Sequence, residues 1–320
     1  MYLKDIIRGD LHMKFSGIGG QAVMEGVMMR NGNDYAIAVR LNDGSIHVDK
    51  KKTKGQDGIW YKIPIIRGIC SFVSSLVIGM STLMDSASYF EEEEPKVLTE
   101  EEKKKKEKQD KAEMTGTLLF SIVLALVIFL LIPYYFSRFV GRFVDSTTLM
   151  ALIEGIFRIL IFVVYVKAIS CMEDIKRVFM YHGAEHKCIN CIEHGLPLTV
   201  ENVRKSSRQH KRCGTSFLLF VLIISVVVFM FIRFDSPVLQ LVCRLLLIPL
   251  IAGVSYEFIR LAGRSENPLV QILSKPGLWL QNLTTSEPDD AMIEVGMASV
   301  EAVFDWKKFQ EENKECFDEV

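Results

Sequence analysis

Apolar residues in this chain are gathered into long unbroken runs, and the first reading of the sequence follows from where those runs start and stop. Gly116 to Ser137 carries no charge, and neither does Thr215 to Ile232. Runs of about 18 to 20 such residues match a hydrocarbon core roughly 30 Å thick at a helical rise of 1.5 Å per residue. Both are predicted to cross a bilayer. Leu149 to Ser170 and Pro237 to Arg260 are equally long but contain Glu154, Arg158 and Arg244. Charges at that depth are tolerated where they face protein, pair or snorkel, so these two segments are predicted spans as well. Arg67 to Met84 differs, because Pro64, Gly68 and Gly79 interrupt it and leave its uncharged run short.

Charge around the runs sets a topology. Lys176 to Arg212, Lys50 to Lys54 and Arg260 to Lys275 are rich in lysine and arginine, whereas Arg138 to Thr148 and Arg233 to Ser236 are short and poorer in positive charge. Two hairpins with every large polar piece in the cytoplasm satisfy the positive-inside rule. A further crossing would put Lys4, Arg8 and Lys14 on the other face, so Arg67 to Met84 is read as interfacial or re-entrant. The first residues lack the charged start, apolar stretch and cleavage site of a secretory signal, which agrees with a cytoplasmic N-terminus.

The predicted fold class is an α-helical, multi-pass cell-membrane protein of about four transmembrane helices, with a small N-terminal β-rich unit. Its organisation is a β-rich cytoplasmic unit over residues 1–62, a re-entrant or interfacial helix over 63–90 and a charged linker over 91–114. Transmembrane hairpins follow at 115–170 and 215–260, flanking a cytoplasmic His/Cys-rich loop at 171–214, and a cytoplasmic helical tail covers 261–320. In the first unit, Tyr35 to Leu41 and Ser45 to Asp49 flank Asn42, Asp43 and Gly44, the signature of a hairpin. Ahead of it, GIGGQAVMEGVMMR from Gly17 to Arg30 reads as a functional loop or as a tight turn docking the hairpin, with Gln21, Glu25 and Arg30 as supporting polar residues. Glu91 to Glu113 reads as a solvated helix or disordered linker, with pairs at Glu100 to Lys104 and Glu102 to Lys106. Near the end, Ser286 is the expected cap and Pro288 the first turn of a helix whose acidic start, Glu287, Asp289 and Asp290, suits the dipole better than a metal.

Composition narrows the class further. With 49% apolar residues and a net charge of −1, the chain is too hydrophobic for an ordinary soluble enzyme and offers no basis for binding nucleic acid. Its expected surroundings are the lipid bilayer, with a membrane-protein partner or a second copy of the chain. Seven cysteines, an odd number, several in loops assigned to the cytoplasm, suit free thiols better than a disulfide framework.

The chemistry concentrates in YHGAEHK, Tyr181 to Lys187. Residues four apart on a helix face the same way, so His182 and His186 can offer imidazoles to one ion with Glu185 beside them. This H-x-x-E-H order is the inverted form of the zinc-peptidase helix, in which the histidines hold Zn²⁺ and the glutamate acts as base. From His182 to Cys213 the chain also carries Cys188, Cys191, His194 and His210. Imidazole and thiolate suit Zn²⁺ and Fe²⁺, and a third or fourth donor is needed beyond the helix pair. His210 and Cys213 in HKRCGTSF and Glu257 in SYEFIR are candidates, and ligation by histidine and carboxylate is preferred. Cys188 and Cys191 read as reduced structural thiols, because no second C-x-x-C follows.

Taken together, GGQAVMEGVMMR, YHGAEHK, RCGTSF and LTTSEPDD make the whole chain resemble the bacterial membrane family DUF1385, whose members are often labelled metal-dependent enzymes. The resemblance implies an integral membrane protein with a metal centre carried by His182, Glu185 and His186, with His210 as the nearest matching histidine. Cys188 departs from the family's usual residue after HK, which argues against it as a ligand.

The expected function is a membrane-bound, metal-dependent hydrolase at the cytoplasmic surface. There a divalent metal, zinc by preference, sits on His182, His186 and either His210 or Glu257, and Glu185 is the catalytic base. If the Leu149 helix continues past Cys171, His182 lies about 18 Å beyond Ser170, outside the lipid, unless a break near Met180 folds it back. The alternative is a non-catalytic insertion, assembly or scaffold factor with a structural metal. Glu154, Arg158 and Arg244 would then form a buried ion cluster joining the hairpins. A transporter is the weaker third reading, because the hairpins show no internal repeat.

Overall fold

The computed structural model describes residues 14–53, 58–90, 100–232, 234, 236–265 and 267–317. They fall into two compact units, one formed by Met1–Phe90, Val166–Val221 and Leu246–Val320, the other by Glu91–Tyr165 and Leu222–Leu245.

The first unit begins with an antiparallel meander: β1 Gly19–Val23, β2 Gly26–Asn31, β3 Asp34–Arg40 and β4 Ile46–Lys52, paired in that order. The hairpin expected at Asn42 to Gly44 joins β3 to β4, with Gly44 at φ 84° and the Ser45 N–H donating to Asp43 Oδ1 at 2.9 Å. The glycine-rich stretch read as a loop or tight turn instead supplies β1 and β2. Glycine serves close strand approach there, since a Cβ on Gly26 would stand 2.2 Å from the Ala38 carbonyl oxygen. Ile18, Val27, Met29 and Ala38 belong to a core with Tyr181, Ile189, Ile293 and Val300, whereas Val23, Met28, Ile37 and Val39 pack with Ile78 and Phe90. With both faces covered, β2 and β3 carry continuous apolar runs, and the period-two alternation that marks a one-sided strand is lost.

The helices are α1 Ile66–Ser88, α2 Glu100–Leu126, a π turn at Val127–Leu131, α3 Ile132–Val140, α4 Thr147–Ile169, α5 Glu173–Glu193 and α6 Val200–Lys205. They continue with α7 Gly214–Met230, α8 Pro237–Ala262, α9 Pro268–Thr284, α10 Asp290–Val303, α11 Trp306–Glu312 and α12 Lys314–Phe317. Among the described residues, four helical stretches are long and apolar enough to cross a membrane: Ile66–Ser88, Thr115–Val140, Thr148–Ile169 and Pro237–Ala262. Three coincide with predicted spans. The fourth is α1, and α7, predicted as a span, is a 17-residue apolar helix that stops at Met230. At 1.5 Å per residue α7 is about 26 Å long, a little short of a roughly 30 Å core.

Helix α4 does not run on to His182. It ends at Ile169, and α5 restarts at Glu173, seven residues before the break considered near Met180. Tyr181 and every residue from Gly183 to Glu193 are buried, so this half of α5 is enclosed on all sides. Segments cross it closely: a Cβ on Gly183 would meet the Ser286 carbonyl oxygen at 2.1 Å, and one on Gly296 would meet Cys188 Sγ at 3.0 Å. The acidic helix start falls three residues later than read, with Asp289 capping the Met292 N–H at 2.8 Å and Asp290 pairing with Arg204. Residues 91–99 of the charged linker, the side chains of Glu100 to Lys106, and Lys4 and Arg8 lie outside the described residues.

In the second unit, Glu154 is 4% exposed and takes both buried guanidinium groups. Its Oε1 accepts from Arg158 and Arg244 at 2.6 Å each, and its Oε2 accepts from Arg244 at 3.0 Å. Arg158 also donates to the Phe129 carbonyl in the π turn at 2.9 Å and to Ser225 Oγ at 3.2 Å. Both arginines lie over the Phe229 ring, and Arg244 also lies over Tyr134.

Candidate metal centre

His182 and His186 are one turn apart on α5, and each uses its Nδ1 on a backbone carbonyl. His182 Nδ1 lies 2.9 Å from the Thr284 oxygen and His186 Nδ1 lies 2.6 Å from the Arg208 oxygen. A carbonyl only accepts, so each Nδ1 carries a hydrogen and each Nε2 turns the other way as a donor to a cation. The ring centroids are 4.4 Å apart. Cys213, the residue before α7, closes the group: its Sγ is 3.3 Å from His182 Nε2, and ligand atoms of His182, His186 and Cys213 all lie within 4.8 Å of one another. A tetrahedral zinc with bonds of about 2.0 to 2.3 Å needs donors about 3.3 to 3.8 Å apart, so modest side-chain rotation would bring this set onto one ion.

Glu185 points into the same space. Its Oε2 is 3.9 Å from His182 Nε2 and 3.6 Å from His186 Nε2. Gly20 on β1 makes room for it, since a Cβ there would stand 3.1 Å from Glu185 Cγ. The sheet thus shapes the site through one absent side chain. Burial opposes charge on His182, but the adjacent Cys213 sulfur, with Glu185 and the Thr284 carbonyl, raises its pKa to about 9. Burial likewise opposes ionisation of Cys213, yet the His182 and His186 rings hold its thiol well below the ordinary value. That favours the thiolate form of the sulfur, a soft donor suited to zinc. Thr215 steadies it, its N–H donating at 3.4 Å and its hydroxyl lying at 3.1 Å.

A family model described as "Protein of unknown function (DUF1385)" matches residues 63–306, which include all four of these side chains. The chain belongs to the DUF1385 family. It is similar to "Uncharacterized protein YqhQ" of Bacillus subtilis (strain 168), with 36% identity over 308 residues, 92% of this chain and 95% of that protein. No solved structure matches it.

The other expected donors of this DUF1385 protein sit elsewhere. The backbone of His210 is clamped by Gln281, which accepts from its N–H and donates to its carbonyl at 2.7 Å each. Its Nε2 lies 3.6 Å from Glu193 Oε2, and its ring centroid is 5.6 Å from that of His186. Glu257 is committed to the start of α1, where it accepts from the Ile65 N–H at 3.1 Å and pairs with the Arg67 guanidinium. Cys188 and Cys191 are buried free thiols, and burial raises both, Cys191 to about 11. The sequence offered one signal for Cys213: a cysteine followed by Gly214 and Thr215 at the mouth of an uncharged run. It marks a turn that can hold the sulfur in place, but only packing says which histidines it meets.

Proposed function

We propose that this DUF1385 protein is a metal-dependent hydrolase acting on an amide or ester at the cytoplasmic surface of the membrane, its termini and basic loops on that side. The observation that carries the reading is the convergence of two imidazole rings and the Cys213 sulfur beside a buried carboxylate. His182, His186 and Cys213 are assigned as ligands, in place of His210 and Glu257, because only they share the space. Two histidines and a thiolate suit zinc and leave a fourth position open, as catalytic zinc sites do. A divalent ion held there supplies Lewis acidity, polarising a carbonyl and lowering the pKa of water. Glu185 Oε2 is placed to take the proton of the attacking water and return it to the leaving group. The Thr284 and Arg208 carbonyls keep both rings in the ligating tautomer.

Enclosure supports a second reading. His186 is 1%, Glu185 4% and Cys213 5% exposed. A closed site joining α5, the turn before α7 and the end of α9 is what a structural staple in an assembly or insertion factor would look like.

The first test is metal content by mass spectrometry on detergent-purified protein beside His182→Ala/His186→Ala. Near-stoichiometric zinc lost from the variant is expected, and absence of metal from both well-folded preparations would overturn the centre. Glu185→Gln then separates the readings. It keeps the metal in either case, abolishes complementation of a deletion strain if Glu185 is the base, and leaves it intact if the metal is a staple.

A further inference from the structure

Helices α1 and α9 are built inside out. On α1 the buried residues are Gly68, Thr82 and Ser86, while Val73, Leu76, Val77, Met80, Leu83 and Met84 are exposed. On α9 the buried residues are Ser274, Gly277, Leu280, Gln281 and Thr284, four of the five small or polar, while Leu269, Ile272, Leu273 and Trp279 are exposed. Each polar face is engaged by the first unit. Gln21 donates to the Gly79 carbonyl at 3.0 Å and to Thr82 Oγ1 at 2.7 Å, and the Met24 N–H donates to Ser86 Oγ at 3.0 Å. Gln281 reaches Ser216 Oγ at 2.7 Å in addition to the His210 backbone. Apolar area left in water forfeits about 25 cal/mol per Å², so a face of this kind belongs against an apolar medium.

Packing identifies that medium. The Phe72 ring of α1 is 5.2 Å from the Phe217 ring, and a Cβ on Gly277 of α9 would meet Ser216 Cβ at 2.9 Å and the Phe220 ring at 3.0 Å. Both helices therefore rest on the first two turns of α7, the start of the uncharged run from Thr215 to Ile232. Their exposed faces continue the surface of a helix that is apolar on every side, and they do so at one depth.

The ends of α1 fix its path. The chain leaves the sheet after Lys52, and the last turn of α1 comes back to the same strand. Lys51 Nζ pairs with Asp85 at 2.8 Å, and the Tyr89 ring lies 4.8 Å from that of His47. At its start, a Cβ on Gly68 would meet the Gly253 carbonyl oxygen at 2.9 Å. Gly253 is nine residues before Ala262, the end of α8, which is about 14 Å along the helix and less than half of a roughly 30 Å core.

We propose that α1, although long enough to cross, is a re-entrant helix that enters and leaves one leaflet on the side of the sheet. In the same proposal α9 lies beside it in that leaflet, the two forming a lipid-contacting collar whose polar faces hold the His182, His186 and Cys213 group at the bilayer boundary. The collar does not depend on a metal being present.

Two measurements on the full chain in phosphatidylcholine membranes test it. Trp60→Phe/Trp306→Phe leaves Trp279 as the sole tryptophan; its emission is expected to be lost with acyl-chain-brominated lipid and to resist aqueous iodide, and the reverse pattern overturns the place of α9. For α1, the exposed Lys62→Cys and Ser88→Cys are labelled with an impermeant maleimide in oriented vesicles, after Cys70, Cys171, Cys243 and Cys316 are changed to serine. Ser88→Cys is expected to react from the sheet side and Lys62→Cys to stay unreactive from the far side. Reaction of Lys62→Cys from the far side makes α1 a full crossing and overturns its re-entrance.

Discussion

Glu154 in the second unit and Glu185 in the first are equally buried, each 4% exposed, yet their neighbours differ in kind. Around Glu154 are donors: two guanidinium groups fill both oxygens, and Arg158 also reaches a carbonyl and a hydroxyl, while Arg244 Nε is buried without a hydrogen-bond partner and its guanidinium lies over aromatic faces. The Glu154 oxygens are fully engaged, and the cluster carries one positive charge in excess. Around Glu185 are the Nε2 atoms of two imidazoles and the Cys213 sulfur, with a proton held between His182 and Cys213. Such a set can take a cation in place of the proton that His182 and Cys213 share, since imidazole and thiolate are both metal donors once deprotonated. Burial alone therefore does not separate structural from functional polar groups; whether the partners complement one another does.

The largest effect is expected from Glu154→Gln, which strands two buried arginines. Loss of one partner from a buried ionic cluster costs about 3 to 5 kcal/mol, read as lower thermal stability in detergent. Replacing the whole set, as in Glu154→Leu/Arg158→Met/Arg244→Met, should recover most of that loss, and a triple variant no more stable than the single one would show that the cluster does more than pin helices. In the first unit, Cys213→Ser should lower metal affinity by at least the roughly 10 to 100-fold that follows loss of an outer hydrogen bond alone. It should also remove the thiolate charge-transfer absorption of the cobalt-loaded protein; an unchanged spectrum would take Cys213 out of the ligand set.

Gly20→Ala should be milder on stability, about 1 to 3 kcal/mol as for other overpacked sites. Its Cβ would meet the Met28 carbonyl oxygen at 2.3 Å and Glu185 Cγ at 3.1 Å, so function should fall while metal content holds. Equal loss of both would tie Glu185 to metal retention.

The smallest effect is acid-dependent. Burial alone would raise the Glu193 carboxyl, but the nearby His210 ring, the Arg212 charge and the Ser16 hydrogen bond together lower it from 4.5 to about 2. The folded state thus holds fewer protons than the unfolded state between these values, and stability from Glu193 is complete above about pH 4.5 and fades as pH falls towards 2. Unfolding midpoints followed over that window should flatten in Glu193→Gln, and an equally steep slope in the variant would assign the acid sensitivity to other carboxylates.

What the sequence determined by itself is local. An uncharged run fixes an apolar helix whose length follows from a constant rise per residue, and H-x-x-E-H places His182 and His186 on one face because the helical period is constant too. Asn42 to Gly44 made a hairpin for the same kind of reason: Gly44 tolerates the positive φ that its neighbours do not. The tertiary structure decided where each buried polar group found its partner. Cys213, 27 residues beyond His186, completed the group, while His210 turned to Glu193, and Glu257 went to Arg67. The glycines before the hairpin became strands because helices cover both faces of the sheet, and that covering erased the alternation a sequence reader relies on. Local geometry repeats with a period that can be read along the chain. Partner choice among buried polar groups depends on which of them packing leaves unsatisfied, and that is set only when distant segments meet.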